Sequence, residues 1–233
     1  MSSQSSIVLF SKLPYTKKAK TRLRKTSSYK ESIIEEIHTA FVADALLLLN
    51  KTTIPNRYCY WLREEQEDPR NQDLSITEPH LTHYNQKGET FSKRFQNALE
   101  EIRETHQGSI IIIGSDCPLI STKTIELTQA KLSEQNVVIG PAPRNGFYLL
   151  GIPKESPIPD MTECFQEGLE RELVIKSFTK TPVFSLPTLS DIDTSEDLAG
   201  LTKILSDNEI NNEHIPKNTS ELIASLSPER RSV

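Results

Sequence analysis

The chain has 233 residues, of which 36% are hydrophobic and 25% charged, the balance of a soluble globular protein with one large domain or two small ones. A formal charge of −5 argues against a general nucleic-acid or anionic-membrane binder. Three widely spaced cysteines, Cys59, Cys117 and Cys164, argue against a disulfide framework or a zinc knuckle and suit a reducing cytoplasm.

Residues 1–6 are polar and lack the basic-then-apolar pattern of a secretory signal. The longest apolar run, 45–49, is far short of the ~20 residues that span a bilayer. A cytoplasmic location is expected. Residues 7–10 form a short continuous apolar run and predict a buried strand. A basic loop, 11–25, follows. Over 29–50 the apolar positions Ile33, Ile34, Ile37, Phe41, Ala45 and Leu48 recur at helical spacing and predict a long helix. Residues 58–62 predict a second strand, 63–78 a polar loop with Pro69, and 81–84 a weaker third strand. Phe91, Phe95, Ala98, Leu99 and Ile102 line one face of a second helix. The run 109–113 predicts a strand buried on both faces, followed by a helix over 124–133. Further strands are predicted at 137–139, 147–152 and 182–186. Thr194, three residues before Asp197, gives a capping-box-like start to a last helix. From 207 the chain turns polar and loses periodicity, predicting a loosely attached tail with a short helix at 220–226. Strands alternating with helices imply a mostly parallel sheet covered on both faces.

In such a sheet, ligands bind beyond the carboxyl ends of the strands, so three loops carry the chemistry. The segment 11–24 holds six cationic residues among fourteen; it suits phosphate groups, or is a solvated basic loop. The Gly-x-x-x-x-Gly-Lys-Ser/Thr spacing of a P-loop is absent. Asp116, at the end of the 109–113 strand, is placed either to hold a divalent cation against phosphate oxygens or to cap the next turn. Gly146, between Asn145 and Phe147, suggests backbone approached by a ligand or bent at a turn. Asp191 and Asp193 either complete a metal site or are charges favoured at a helix start.

Five motifs run in order from residue 7 to about 201: Phe10, Lys12 and Pro14 with Lys20-Thr21-Arg22-Leu23; Gln86 and Gly88 with Arg94; Gly114-Ser115-Asp116 with Pro118; Gly140-Pro141-Ala142 with Gly146 to Gly151; and Asp191, Asp193 and Thr194 with Asp197-Leu198. Over this span the chain resembles the bacterial DUF2064 family, glycosyltransferase-like proteins of the nucleotide-diphospho-sugar transferase (GT-A) fold. The five match in turn the family's opening motif, a middle motif, a Gly-Ser/Thr-Asp-x-Pro motif, a strand pair and the closing motif. The chain departs from the pattern where Lys17 and Ser92 replace glycines and where Arg144-Asn145-Gly146-Phe147 replaces Asp-Gly-Gly-Tyr.

The resemblance implies an α/β three-layer sandwich, GT-A and Rossmann-like, with a mostly parallel central sheet over 1–206 and a polar tail over 207–233. It implies a metal-dependent transferase using an activated nucleotide, foremost a nucleotide-sugar, and a small-molecule acceptor. The alternatives are a nucleotidyltransferase that releases pyrophosphate from an NTP, and a degenerate member that binds a nucleotide or a partner without turnover. Asp116 and Asp193 would hold Mg²⁺ or Mn²⁺. Lys12, Lys20, Arg22, Gly88, Arg94, Ser115 and Gly146 would bind the nucleotide and its phosphates, and Asp116 and Arg144 would be catalytic.

Overall fold

Side chains alternate across the first strand and so divide the core in two. In the computed structural model, which describes residues 5–63, 68–73, 78–207 and 215–226, β1 (Ser6–Lys12) sends Ile7 and Leu9 into one hydrophobic cluster. Val8 and Phe10 enter another on the opposite face. β4 (Ile110–Ile113) is buried along its whole length because both faces are covered. It pairs with β1 in parallel, Ile7 opposite Ile111 and Leu9 opposite Ile113.

The sheet has seven strands in the order β3-β2-β1-β4-β6-β5-β7. β2 (Asn56–Leu62) and β3 (Thr82–Asn85) extend it in parallel beyond β1. On the other side β6 (Phe147–Ile152) runs antiparallel between β4 and β5 (Val137–Pro141), and β7 (Val183–Ser185) closes the edge in parallel with β5. The sheet is therefore mostly parallel, with β6 as its reversed strand.

Among the described residues there are seven α-helices. α1 (Thr21–Thr26) is short, and α2 (Glu31–Lys51) covers the face of Ile7 and Leu9. α3 (Phe91–Thr105) buries Phe95, Ala98, Leu99 and Ile102 on the opposite face. α4 (Thr122–Ser133) starts at a Ser121–Thr124 capping box, and α5 (Glu170–Ser177) anchors through Val174. α6 (Ser195–Ser206) starts at the capping box of Thr194 and Asp197, as the spacing predicts. α7 (Lys217–Ser225) lies against α2.

Three sequence expectations change. The basic loop 11–25 is not all loop: Ser11 and Lys12 finish β1, and 21–26 is α1, fixed by Leu23, which is fully buried beside Ile34 and Phe41. A polar stretch with a single apolar anchor has no helical period to read. The loop 63–78 contains a 3₁₀ turn, Pro69–Asp73, while 64–67 and 74–77 lie outside the described residues. The expected tail is docked where it is described. Asp44 of α2 accepts hydrogen bonds at 2.9 Å from the Asn218 and Thr219 backbone N–H groups, capping α7, and Leu222 and Ile223 pack on the cluster that holds Leu23, Ile34 and Phe41. The remainder, 208–214 and 227–233, lies outside the described residues. No described helix is long and apolar enough to cross a membrane.

Candidate functional site

After β1 the chain builds outward through β2 and β3, and after β4 it builds the other way. β1 and β4 are thus the adjacent strands at which the winding reverses, where ligands sit beyond the carboxyl ends. A cavity of about 750 Å³ opens there, lined by residues from the ends of β1 and β4, the start of α3, the β5–β6 hairpin and the 191–193 segment.

One wall is charged. Lys20, in the left-handed region (φ 54°) just before α1, turns its ammonium inward until its side chain is only 2% exposed. Its Nζ lies 2.5 Å from Asp116 Oδ1, donates to the Ile192 carbonyl at 2.7 Å and is 4.0 Å from Asp193 Oδ1. Burial pushes the Asp116 carboxyl upward, but Lys20 outweighs it and the net is below the ordinary carboxylate value. Arg22 donates to Asp193 at 3.3 Å and to Glu167 at 3.2 Å. Lys12 donates to the Lys18 carbonyl at 2.5 Å, tying the basic segment back to β1. Ser11 and Ser115 join their hydroxyls at 2.8 Å across the ends of β1 and β4.

Beneath this wall lies His38 of α2, which no sequence motif marks. Its Nε2 donates to the Leu13 carbonyl at 3.0 Å, and its Nδ1 is buried without a hydrogen-bond partner in the structure. Burial lowers its pKa to about 4, and the neighbouring Lys20 charge acts in the same direction.

The β5–β6 hairpin turns at Arg144 (φ 57°) and Asn145 (φ 62°), closed by the Gly146 N–H to the Pro143 carbonyl at 3.1 Å. Two left-handed residues make this a type I′ turn, which suits Asn and Gly and strains Arg. The Arg144 guanidinium holds it: it donates to Asp197 at 3.2 Å and to Asp191 at 3.3 Å. Burial and the neighbouring Asp193 charge raise the Asp191 pKa, and Arg144 opposes them. Asp197 therefore both caps α6 and anchors the hairpin.

The opposite wall is aromatic. Phe10, Phe95, Phe147 and Phe165 pack in edge-on and tilted pairs, and Phe91, 47% exposed at the first position of α3, lies 4.9 Å from Phe165 between ring centroids. Beside them, Gln86 gives both amide protons to the Ser11 and Tyr60 carbonyls and accepts from Arg94 Nε at 3.2 Å. Arg94 also donates to the Gly88 and Glu89 carbonyls. Gly88 has φ +135°, and a Cβ there would meet the Arg94 backbone nitrogen at 3.0 Å, so its place is behind Arg94.

Of the residues selected from sequence, the cavity wall gathers Lys12, Lys20, Arg22, Arg94, Ser115, Asp116, Arg144, Gly146 and Asp193. Gly88 is set back. Gly140 is a packing glycine, since a Cβ there would stand 2.5 Å from the Tyr148 ring. Cys117 is buried, which pushes its thiol pKa up and leaves it without thiolate character. His38, Phe91 and Phe165 went unselected because their meaning depends on what surrounds them.

The donor set suits a hard divalent cation. Mg²⁺ is commonly held by one or two carboxylates, the remaining ligands being substrate phosphates and water. Asp116 and Asp193 supply two carboxylates whose oxygens lie within 4.0 Å of the same Lys20 nitrogen. Among the described residues no group of three or more His, Cys, Asp or Glu is arranged to hold a metal by itself, so phosphate and water would complete the shell.

The profile of a family described as "Uncharacterized protein conserved in bacteria (DUF2064)" matches residues 48–167. A structure from Desulfovibrio desulfuricans G20, provisionally assigned as a nucleotide-diphospho-sugar transferase, is 23% identical, with a TM-score of 0.80 over 96% of this chain and 98% of that one. A cytidylyltransferase from Leptospira borgpetersenii is 15% identical, with a TM-score of 0.54 over 95% and 94%. A 4-diphosphocytidyl-2C-methyl-D-erythritol synthase from Anaerococcus prevotii is 10% identical, with a TM-score of 0.52 over 87% and 96%. These likenesses establish the fold. No curated protein sequence matches the chain.

Proposed function

The chain belongs to the DUF2064 family, and from that premise and the charged wall we propose that it is a transferase acting on an activated nucleotide, foremost a nucleotide-sugar. The observation that carries the reading is the desolvated Lys20 ammonium, set between Asp116 and Asp193 at the carboxyl ends of the strands where the winding reverses. A buried cation fixed by the Ile192 carbonyl is preorganised, so it meets developing negative charge without first shedding water. The fold that the chain shares with a provisionally assigned nucleotide-diphospho-sugar transferase and with a cytidylyltransferase agrees with this use.

In this reading Lys12, Lys20 and Arg22 bind the diphosphate, while Asp116 and Asp193 hold Mg²⁺ or Mn²⁺. The metal would supply Lewis-acid stabilisation of the leaving diphosphate. Ser115 and Gly146 border the same space, Ser115 fixing the end of β4 against Ser11. The acceptor oxygen bonds to the anomeric carbon as the bond to the diphosphate breaks; the electron pair leaves on the nucleoside diphosphate and the acceptor proton is released. Arg144 supports the hairpin, its charge balanced by Asp191 and Asp197.

The test is a thermal-shift screen of UDP- and GDP-sugars and of NTPs with and without Mn²⁺, followed by product analysis of each compound that raises Tm. A metal-dependent rise with release of nucleoside diphosphate is expected. Pyrophosphate from an NTP would instead make the chain a nucleotidyltransferase, and binding without turnover over a broad acceptor panel would make it a nucleotide-binding protein. Equal stabilisation of wild type and Asp116→Asn by nucleotide and Mn²⁺ would sink the metal assignment.

A further inference from the structure

We propose that the aromatic wall is a second-substrate subsite for an aryl anion, a flat ring bearing one carboxylate or phosphate. The proposal rests on the transferase reading only in calling this ligand the second substrate; the subsite itself follows from two independent observations. The first is charge. Among the described residues Arg94 makes no ion pair: its partners are the Gln86 amide oxygen and the Gly88 and Glu89 carbonyls, all neutral. It lines the cavity with its pKa lowered by burial, whereas Arg22, Lys20 and Arg144 each lie against carboxylates. With Nε and Nη1 engaged by those neutral oxygens, a partly desolvated guanidinium without a counter-charge is matched by an anion from outside the chain, which the Nη2 protons can receive.

The second observation is shape. Phe91 leaves about half its surface open at the cavity mouth, and Phe165 and Phe147 are partly open beside it, while Phe10 and Phe95 back them from the core. Rings packed edge-on offer slots for a further ring.

The same wall is ill-suited to reading a nucleobase by side-chain hydrogen bonds. Gln86, the one side-chain amide of the cavity lining among the described residues, has spent both its protons and its oxygen on protein partners. The Ser92 hydroxyl nearby is bonded to Thr90. What remains selects ring shape and negative charge, which is what an aryl carboxylate or aryl phosphate presents.

The experiment is calorimetric titration of the full chain with benzoate, phenyl phosphate, acetate and inorganic phosphate, each with and without saturating UDP and Mn²⁺. Benzoate is expected to bind at least tenfold tighter than acetate, or phenyl phosphate at least tenfold tighter than inorganic phosphate; the tighter arm tells which anion is native. Phe91→Ala should remove that advantage, and Arg94→Gln should weaken the aryl anion about tenfold while Arg94→Lys restores part of it. UDP affinity should change less than twofold in Phe91→Ala. The proposal is overturned if neither aryl probe gains over its small counterpart, if Phe91→Ala leaves the gain intact, or if UDP competes with the aryl probe and is itself weakened by Phe91→Ala. Loss of UDP binding with aryl binding kept would overturn the nucleotide reading and leave the subsite standing.

Discussion

On the α2 side of the cavity the cations are matched: Lys20 with Asp116 and Asp193, and Arg22 with Asp193 and Glu167. On the α3 side Arg94 is held by neutral oxygens beside five phenylalanines, one of them half open. The charged wall is complete without a ligand, so a phosphate there must exchange with existing ion pairs and would be sensitive to salt and metal. The aromatic wall has unmet charge and open ring surface, so its occupant is bound by what the protein lacks. The contrast teaches that within one cavity the groups most crowded with charge need not be those with most to gain from a ligand.

The largest effect that would sharpen the contrast lies within the aromatic wall itself. Phe95 is 4% exposed and Phe91 47%. Phe95→Ala should cost about 3–5 kcal/mol by leaving a cavity in the core, whereas Phe91→Ala should stay within about 1 kcal/mol. Urea denaturation checks both. Equal losses would mean that Phe91 is core rather than a ligand surface.

Next in size is a pH effect beneath the charged wall. Burial lowers the His38 pKa to about 4 from an ordinary 6.5, so the unfolded chain takes up a proton before the folded one does. Stability from this group is full above pH ~6.5 and falls as pH drops through 6.5 toward 4, by about 3 kcal/mol in all. His83, stacked on Trp61 and lowered chiefly by its burial, contributes in the same direction. His38→Gln should flatten the slope of unfolding free energy between pH 6.5 and 4; an unchanged slope would place the titration elsewhere.

Asp116→Asn removes the charge partner of a buried ammonium and should cost about 1–3 kcal/mol. It should also abolish the Mn²⁺-dependent part of the nucleotide thermal shift. The comparison between the walls would break if the same substitution weakened benzoate as strongly as it weakened UDP.

The smallest effect concerns the hairpin between the two walls. Arg144→Gly relieves about 1 kcal/mol of left-handed strain and gives up two half-exposed ion pairs worth a few tenths to 1 kcal/mol each. The net should lie within about 1 kcal/mol of zero, with Arg144→Ala less stable than Arg144→Gly. The reverse order in thermal denaturation would show that strain at 144 is not what the ion pairs offset.

Much of the scaffold was legible along the chain. Ile110–Ile113 reads as a strand covered on both faces, and Phe91, Phe95, Ala98, Leu99 and Ile102 read as one face of a helix, which the structure buries except for Phe91 at its start. Lys20, Arg22, Asp116 and Asp193 were legible because charged residues at strand ends in an α/β sheet gather at one edge. Other features were not. α1 rests on the burial of Leu23 alone, α5 on Val174, and α7 on an Asp44 carboxylate some 170 residues away in the chain. That Arg144 lies between Asp191 and Asp197 was hidden as well, because those carboxylates come from a segment distant in the chain.

The set of elements, the sheet class and the edge at which charged loops collect follow from the chain alone, since hydrophobic period and strand–helix alternation are local properties. Which charges cancel and which remain is settled only once distant segments meet in the fold. An arginine in a sequence carries the same charge everywhere; whether it is spent, as at Arg144, or unspent, as at Arg94, depends on carboxylates brought from distant segments, and no local pattern records them. The same holds for Phe91 and Phe95, four residues apart on one helix face, one sealed in the core and the other left at the mouth of the cavity.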